Sequence, residues 1–391
     1  MVIVKSSPWR SAKLFRDHPE YSAIFDLIQR YEHKIRFVLV GTSSTPTSTI
    51  QLKRDTIAWD IQKTGTMSHL KAPLELVRIL FRYRPHLTIV LGLARLLPVA
   101  IFSLFSVRSK YVPIFIGEFT YYGSKVMGKL LNHMFFKALS FLLRLSQGKI
   151  LKMFALSGFV RDGVENLAPN LSGKIKLISY PISPIFYSTR KKSLLTVSET
   201  PVILTVAGLE PRKGLDTLIK AVSLLPKRVK VVIKGGIRDT IYVQELDKMI
   251  EELNLRDSIT FVTEIIDYDD LVSYYKSATL FVLPTREDCL GVVLLEALHC
   301  DLPVVATSVG GIPDMIEDGM NGILVKPDDP YELANAISLL LNDNAKRQKI
   351  AENARRTLFD RYYKGRITLE EALNQSVTHL LVAPSFTSKN S

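Results

Sequence analysis

The stretch from Leu283 to Ile312 reads LPTREDCLGVVLLEALHCDLPVVATSVGGI. Its pattern, with residues just before it, predicts a strand over 279–284, a helix over 291–299 and a second strand over 302–306. Apolar strands on each side of a helix are typical of a parallel sheet that helices cover on both faces. The stretch therefore predicts an α/β fold with a parallel sheet.

Two carboxylates in this stretch are candidate functional residues. Asp288 lies at the strand-to-helix turn, where the N-terminus of a helix can hold an anion. Glu296 lies in the middle of an otherwise apolar helix, VVLLEAL. Because a carboxylate in such a position is costly unless it binds something, Glu296 is predicted to have a binding partner.

Composition places the chain among globular proteins of two or three domains, with 391 residues, 47% of them hydrophobic and 23% charged. The two cysteines, Cys289 and Cys300, do not form a disulfide framework, which indicates a reducing compartment. The sequence near residue 1 lacks the apolar core of a signal peptide, and no 18-residue run is uninterrupted and apolar. We therefore expect a cytoplasmic protein.

Positive charge is concentrated in the first half of the chain. Residues 1–190 contain 27 Lys and Arg against 10 Asp and Glu, a net charge of +17, whereas residues 191–391 contain 24 against 28, a net charge of −4. This asymmetry suggests that the first half meets an anionic surface or acceptor, although a solvated charged face would look the same. Nucleic-acid binding is disfavoured, because the basic half lacks a recognised motif and clustered arginines with interleaved aromatics.

Strands and helices alternate along the first half, which predicts one doubly wound domain. Strands are predicted over 36–41, 86–92 and 111–117, while residues 1–35 are polar and mixed with one helix. Glu118 follows the strand at 111–117 directly. Ligands in open parallel sheets collect at the carboxyl ends of strands, so Glu118 is a candidate site residue, with a solvated loop glutamate as the alternative.

Two helices of the first half could rest on a membrane. Residues 93–107 are apolar, and residues 128–145 carry Lys129, His133, Lys137 and Arg144 on one stripe of a broad apolar helix. A basic stripe on an apolar helix fits an interfacial helix on anionic lipid. It equally fits a packed helix with a solvated stripe.

A second unit begins at the apolar strand over 201–206, and polar residues precede it. Loops at 207–214, 234–236, 286–291 and 308–311 follow predicted strands, so they should line one edge of the sheet. A lysine such as Lys213 suits a phosphate, and a carboxylate such as Glu296 can accept hydrogen bonds from paired sugar hydroxyls. Taken singly, Lys213 could be a solvated loop lysine and Glu296 a helix-surface residue. A helix is also predicted over 313–317.

Two segments of the second half resemble a known family. VAGLEPRKGLDTLIKA (206–221) resembles its strand–GRL–x–x–x–KG–helix segment, and residues 279–325 resemble its carboxylate-x7-carboxylate signature with the following glycine pair. The family is the retaining GT-B glycosyltransferases of family 4. The resemblance covers about 201–362 and pairs Asp288 with Glu296.

The resemblance implies two Rossmann-like doubly wound domains that face each other across a cleft. Residues 1–187 would bind the acceptor, 188–200 would form a linker and 201–362 would hold a nucleoside-diphosphate sugar. Residues 363–391 would supply a helix that crosses back to the first domain, and a polar tail. The family needs no obligatory metal and retains the configuration at the anomeric carbon. The donor is then a co-substrate, and no cofactor is expected.

Roles for individual residues follow from the same resemblance. Lys213 would contact the diphosphate, Glu296 the ribose hydroxyls and Asp288 the donor sugar, with Lys213, Asp288 and Glu118 as the catalytic set. The remaining predicted donor-binding residues lie in loops that follow strands. They are Gly208, Arg212, Gly235, Glu264, Ile265, Cys289, Leu290 and Gly291, with Glu264 and Ile265 near the base.

The sequence departs from the family pattern at four places. Gly208 stands where the family has an arginine, so one phosphate cation is missing, and Arg212 is the candidate substitute. The first acid is Asp288 rather than glutamate. Cys289 and Asp301 replace glycines, and no histidine lies near Glu118.

The leading hypothesis is a glycosyltransferase that acts on a lipid-linked or membrane-proximal glycan, located in the cytoplasm and peripherally at the inner face of the cell membrane. A second hypothesis keeps the fold and changes the reaction to nucleotide-sugar epimerisation or phosphorolysis. A third is a non-catalytic protein that binds a nucleotide sugar or a glycan, motivated by Gly208 and the missing histidine.

Overall fold

The computed structural model describes residues 1–5, 19–31, 37–43, 56–62, 68–91, 96–115, 128–188 and 200–382. Contacts divide the chain into two units. Unit 1 comprises Met1–Pro181 together with Gly365–Ser391, and unit 2 comprises Ile182–Lys364. Each unit contains a fully parallel sheet with helices in the connections, which confirms the predicted α/β class. The predicted linker falls largely on 189–199, outside the described residues.

Unit 1 contains an eight-stranded sheet with the order β3-β2-β1-β4-β5-β6-β7-β14. Its strands are β1 (Val2–Lys5), β2 (Phe37–Ser43), β3 (Thr56–Gln62), β4 (Leu87–Leu91), β5 (Lys110–Phe115), β6 (Met153–Ala155), β7 (Ile175–Ser179) and β14 (Ile367–Thr368). Its helices are α1 (Pro19–Tyr31), α2 (Ser68–Tyr83), α3 (Leu96–Phe105), α4 (Gly128–Leu145), α5 (Gly158–Leu167) and α13 (Leu369–Val382).

The prediction for the first 35 residues is wrong in one respect, because β1 is an inner strand of the sheet. Val2 pairs with Val38 of β2 on one side and with Thr88 of β4 on the other. A four-residue apolar run is too short to stand out in a sequence, and neighbouring strands on both sides are what bury it; Ile3 is fully buried. Strand β3 at the sheet edge was not predicted either.

Unit 2 contains a six-stranded sheet with the order β10-β9-β8-β11-β12-β13. This is the 3-2-1-4-5-6 order of doubly wound folds, so the direction of winding reverses between β8 and β11. The strands are β8 (Val202–Val206), β9 (Lys230–Lys234), β10 (Ile259–Val262), β11 (Leu280–Leu283), β12 (Val304–Thr307) and β13 (Ile323–Val325). The helices are α6 (Pro184–Ser188), α7 (Leu215–Ser223), α8 (Thr240–Glu252), α9 (Tyr268–Ser277), α10 (Val292–His299), α11 (Pro330–Asn342) and α12 (Asn344–Leu358).

Both faces of the unit 2 sheet are buried. On one face Ile203 and Val282 belong to a core that includes residues of α7, α8 and α11. Because side chains alternate along a strand, Phe281 points to the other face, where it stacks on Tyr275 of α9 at 5.6 Å between ring centroids. This two-sided burial is why the strands read as continuous apolar runs.

Two helices predicted in unit 2 differ from what the structure shows. The helix predicted over 313–317 is wrong: the structure has one 3-10 turn, Ile312–Asp314, because the Asn321 side chain bonds the backbone of Met315 and Glu317 and turns the chain. The sequence also predicts an amphipathic helix over 346–362. In the structure this helix, α12, ends at Leu358 and passes into a π-helical turn, Phe359–Tyr363.

The chain crosses from unit 1 to unit 2 after Pro181 and crosses back to unit 1 after Lys364. At the first, α6 belongs to unit 2, although the sequence prediction extended the first domain to residue 187. The reason is Phe186, which is fully buried and packs edge-on against Tyr268 and Tyr275 of α9. After the second crossing, β14 pairs with β7, and Glu370 of α13 forms a 3.0 Å ion pair with Arg30 of α1.

We expect Phe186→Ala to lower the free energy of unfolding of unit 2 by about 3–5 kcal/mol, because it empties a fully buried aromatic site. Phe359→Ala is the matched control, since Phe359 is 59% exposed in the same unit and its loss should cost no more than about 0.5 kcal/mol. Denaturant unfolding measures both. Equal losses in the two variants would contradict the assignment of α6 to unit 2.

Candidate functional site

Four loops meet at the carboxyl edge of the unit 2 sheet. The loops after β8 and β9 pair through a bridge between Leu209 and Ile237. The loop after β11 joins the loop after β8 because the Arg286 N–H donates to the Arg212 carbonyl at 2.8 Å. The loop after β12 joins the loop after β11 through a 3.3 Å hydrogen bond from the Gly311 N–H to the Asp288 carbonyl. The predicted convergence of these loops is therefore present.

Glycine is required at two of the contacts between loops. Gly310 has a φ of +54°, and a Cβ atom there would lie 1.7 Å from the carbonyl oxygen of Asp288. Gly214 has a φ of +63°, and its Cβ would lie 2.1 Å from the carbonyl oxygen of Pro284. Side chains at either position would separate the loops, so the glycines fix where Asp288 sits.

Lys213 and Asp288 form an ion pair at the point where the winding of the sheet reverses. Lys213 Nζ lies 2.6 Å from Asp288 Oδ2, and the two side chains are 12% and 17% exposed. The other carboxylate oxygen accepts hydrogen bonds from the N–H groups of Leu290 at 3.2 Å and Gly291 at 2.7 Å. The Asp288 carboxylate itself therefore occupies donors at the start of α10.

Burial alone would raise the pKa of Asp288. The charge of Lys213, its hydrogen bond and the two backbone N–H groups outweigh burial and hold the pKa below its ordinary value. Asp288 is thus ionised at neutral pH. The family resemblance implied that Lys213 contacts a diphosphate and Asp288 a sugar, whereas in this structure each is the ion-pair partner of the other.

Arg286 ties three acidic or carbonyl groups together beside this pair. Its guanidinium donates to both carboxylate oxygens of Asp216, at 2.9 and 2.7 Å, and to Asp328 at 2.6 Å. It also donates to the Pro211 carbonyl, and the Tyr242 hydroxyl donates to Asp216 at 2.6 Å. No sequence pattern predicted this network, although Arg286 lies within 283–312 and Asp216 in the first turn of α7.

Glu296 is buried in α10 with 8% exposure. Its Oε2 accepts a 2.7 Å hydrogen bond from the hydroxyl of Tyr275, which lies on α9. Burial raises the pKa of Glu296 to about 7, against a lowering by the Tyr275 hydrogen bond. The sequence identified Glu296 as a carboxylate that needs a partner, and it missed Tyr275 as the one that the fold supplies.

The other predicted donor-binding residues surround these groups. Cys289 is half-buried and forms no disulfide, Leu290 is buried, and Gly291 has a φ of +76° where α10 begins. Arg212, the candidate substitute for the missing arginine, forms a 2.7 Å ion pair with Glu210.

Residues near the predicted base position lie at the ends of β9 and β10. Gly235 follows β9 and donates to the Val262 carbonyl at 3.1 Å. The buried Lys234, which the sequence analysis missed, donates its ammonium group to the carbonyls of Val262 and Glu264. Ile265 is 83% exposed and Glu264 is also exposed. Glu118 lies outside the described residues.

Among the described residues, no group of three or more His, Cys, Asp and Glu side chains is arranged to hold a metal ion. Within the same part of the chain, no helix has both the length and the apolar character needed to cross a membrane.

Comparison with known proteins supports the resemblance at the level of glycosyl transferases group 1. Residues 187–357 match the family model of glycosyl transferases group 1. A D-inositol 3-phosphate glycosyltransferase of Xylanimonas cellulosilytica is 33% identical over 159 residues, which is 40% of this chain and 38% of that protein. The match thus spans less than two-fifths of this relative's length.

Solved structures match over almost the entire chain. Anabaena Alr3699/HepE in complex with UDP superposes with a TM-score of 0.67 at 20% identity, covering 97% of this chain and 98% of that one. WaaG, a glycosyltransferase involved in lipopolysaccharide biosynthesis, gives 0.69 at 16% identity over 96% and 99%. These are GT-B structures, so the predicted GT-B fold class is confirmed.

We expect Gly310→Ala to destabilise unit 2 more than Gly319→Ala does. Gly319 is the matched control because its φ is +75° and nothing lies within 4 Å of its Cβ position, so alanine there costs only backbone strain, about 1–2 kcal/mol. At position 310 the clash with Asp288 adds to that strain. Denaturant unfolding compares the two variants, and equal costs would show that the Gly310 contact does not hold the loop.

Proposed function

We propose that the protein is a retaining glycosyltransferase of family 4, which transfers a sugar from a nucleoside-diphosphate sugar to a lipid-linked or glycan acceptor. The observation that carries the proposal is the Lys213–Asp288 ion pair at the switch point of a segment that matches glycosyl transferases group 1, with the buried Glu296 on the helix that follows Asp288. Ligands of doubly wound sheets bind at this point. The UDP in the Anabaena structure is consistent with a nucleotide ligand for this fold.

In this proposal Lys213 exchanges partners when the donor binds. A diphosphate oxygen takes the place of the Asp288 carboxylate on the ammonium group, and Asp288 then accepts hydrogen bonds from the donor sugar. Protein cations and helix dipoles stabilise the leaving diphosphate, so the proposed reaction is metal-independent. Retention of configuration remains part of the proposal that rests on the sequence resemblance.

Glu296 is proposed to hold the ribose. One carboxylate oxygen is fixed by Tyr275, and the other makes no hydrogen bond with the described residues. That second oxygen can accept a hydrogen bond from a ribose hydroxyl, while the hydrogen bond from the Tyr275 hydroxyl holds the carboxylate in place. The binding-competent form is the ionised one, which is half populated near pH 7 in the free protein.

A non-catalytic nucleotide-sugar-binding protein is the second candidate. The observation that favours it is the complete engagement of Asp288, whose two oxygens are held by Lys213 and by two backbone N–H groups. In such a protein the pair would remain closed with the donor bound. Turnover, rather than binding, separates the two functions.

The acceptor side is proposed to contact an anionic membrane surface. Residues 76–161 contain 13 Lys and Arg and a single acidic residue, Glu118. In the same segment of unit 1, α4 exposes Met134, Phe141 and Leu145 together with His133, Lys137 and Arg144. An exposed face that mixes large apolar side chains with cations fits an anionic lipid surface.

The last residue of α3 and the loop after it extend this face. Phe105 is 74% and Val107 90% exposed, and Arg108 is exposed beside them. Lys149, just after α4, donates to the carbonyls of Ser106 at 3.0 Å and Val107 at 2.9 Å, so the loop lies beside the C-terminal end of α4. We define the α3–α4 surface as Phe105, Val107, Met134, Phe141 and Leu145. It supports a peripheral location at the inner face of the membrane, in the cytoplasm.

The donor proposal is tested with a panel of UDP-linked and GDP-linked sugars. A bound donor at 100 times its dissociation constant should stabilise the protein by about 2.7 kcal/mol. Because ionisation of Glu296 favours binding, affinity should rise as pH increases from 6 to 8, by about tenfold at most. Nucleotide sugars suit this test because their diphosphate has no group that titrates in that range.

Glu296→Gln should abolish the pH dependence and weaken binding, whereas the exposed Glu245→Gln in the same unit should change neither. Release of nucleoside diphosphate in the presence of a lipid extract measures turnover. Binding with no turnover in any acceptor mixture would favour the second candidate. A pH dependence that persists in Glu296→Gln would contradict the ribose role.

Membrane contact is tested by sedimentation with phosphatidylglycerol–phosphatidylcholine vesicles. The wild-type protein should bind at low salt and release as salt screens the charges. Phe105→Asp with Phe141→Asp should abolish binding, whereas Phe359→Asp, at a similarly exposed aromatic of unit 2, should not. Undiminished binding of the double variant would refute the α3–α4 surface as the membrane contact.

A further inference from the structure

Arg238 lies directly across Gly208 at the carboxyl edge of β8. A Cβ atom at position 208 would be 3.0 Å from Cγ of Arg238, 3.6 Å from Oε1 of Glu210 and 3.7 Å from Nε of Arg238. The backbone fixes this arrangement, because Leu209 and Ile237 form a bridge and the Arg238 N–H donates to the Leu209 carbonyl at 3.2 Å. The side chain of Arg238, with the carboxylate of Glu210 beside it, therefore fills the space that a side chain at position 208 would otherwise occupy.

Three other cations of this edge are already paired with carboxylates, and a fourth, Lys234, donates to the backbone carbonyls of Val262 and Glu264. Lys213 pairs with Asp288, Arg212 with Glu210, and Arg286 with Asp216. Arg238 differs from them in that it is exposed and, among the described residues, no carboxylate lies within ion-pair distance. An arginine without a carboxylate partner can bind an anion without first giving up an internal ion pair.

We propose that Arg238 binds the diphosphate of the nucleotide donor, in place of a cation at position 208. The inference rests on the proposed function, because it takes the donor to bind at the switch point between β8 and β11. The guanidinium offers parallel N–H donors that match two phosphate oxygens. Gly208 is then the residue that makes room for Arg238, and the cation is supplied by the loop after β9 rather than by the loop after β8.

This assignment also gives the two kinds of cation at the site different behaviour. Lys213 must exchange Asp288 for phosphate, so its contribution is reduced by the ion pair that breaks. Arg238 gives up only bound water, so its contribution to the binding of the diphosphate is larger and depends more strongly on salt concentration. The first contact of an arriving diphosphate is accordingly assigned to Arg238, and the Lys213 exchange follows it.

The test compares UDP with UMP, and GDP with GMP, by calorimetry on the full chain. In the wild-type protein the nucleoside diphosphate should bind more tightly than the monophosphate. Arg238→Ala should weaken binding of the diphosphate by roughly tenfold to a hundredfold and reduce its preference over the monophosphate. The matched control is Arg228→Ala, an exposed arginine in the loop that precedes β9, at the opposite edge of the sheet.

Moving the arginine from position 238 to position 208 tests whether both positions reach the same anion. Gly208→Arg combined with Arg238→Ala removes the 3.0 Å contact and returns a cation to the loop after β8. The double variant should recover most of the preference for the diphosphate. A double variant as weak as Arg238→Ala would show that the two positions do not reach the same anion, which would overturn the proposal.

The outcomes separate the inference from the proposed function. If the wild-type protein binds none of these nucleotides or the nucleotide sugars, the proposed function fails. If the wild-type protein binds the diphosphate and Arg238→Ala binds it equally well, with the same preference over the monophosphate, only the role of Arg238 is refuted. Thermal unfolding of each variant confirms that the exposed substitution leaves the fold intact.

Discussion

The ion pair between Lys213 and Asp288 joins two loops that lie 75 residues apart in the chain. Its position follows from topology, since β8 and β11 are neighbours only because the winding of the sheet reverses between them. A mostly buried ion pair of this kind is costly unless its remaining lone pairs are satisfied, and here two backbone N–H groups satisfy them. Gly310 and Gly214 hold the loops close enough for the pair to form, and the Arg286 network holds them in register.

The fold of unit 2 was largely predictable from sequence, because its strands are buried on both faces and read as apolar runs. The runs at 201–206 and 279–284 became β8 and β11 almost residue for residue. Strand β1 was not predictable in this way. Four residues carry too little pattern, and its place in the sheet is set by β2 and β4, which come later in the chain.

The residues of the candidate site differ in the same way, because local sequence predicts some of them and not others. Glu296 could be recognised from local pattern, because a carboxylate in an apolar helix is conspicuous wherever its partner lies. Tyr275, Arg286 and Arg238 could not, since each acts through a residue that is distant in sequence and near in space. Lys213 and Asp288 could be named from their motifs, but their contact with each other depends on the strand order. Sequence thus identifies unusual residues, and the fold decides their partners.

The return of the chain to unit 1 through β14 and α13 has a consequence for synthesis. Unit 2 is a continuous segment, Ile182–Lys364, whereas unit 1 needs both ends of the chain. On the ribosome, unit 2 can therefore complete its sheet while unit 1 still lacks the strand that pairs with β7 and the helix that carries Glu370. Unit 1 acquires its edge strand β14 only after the residues beyond Lys364 are made, so its eight-stranded sheet is completed after the sheet of unit 2.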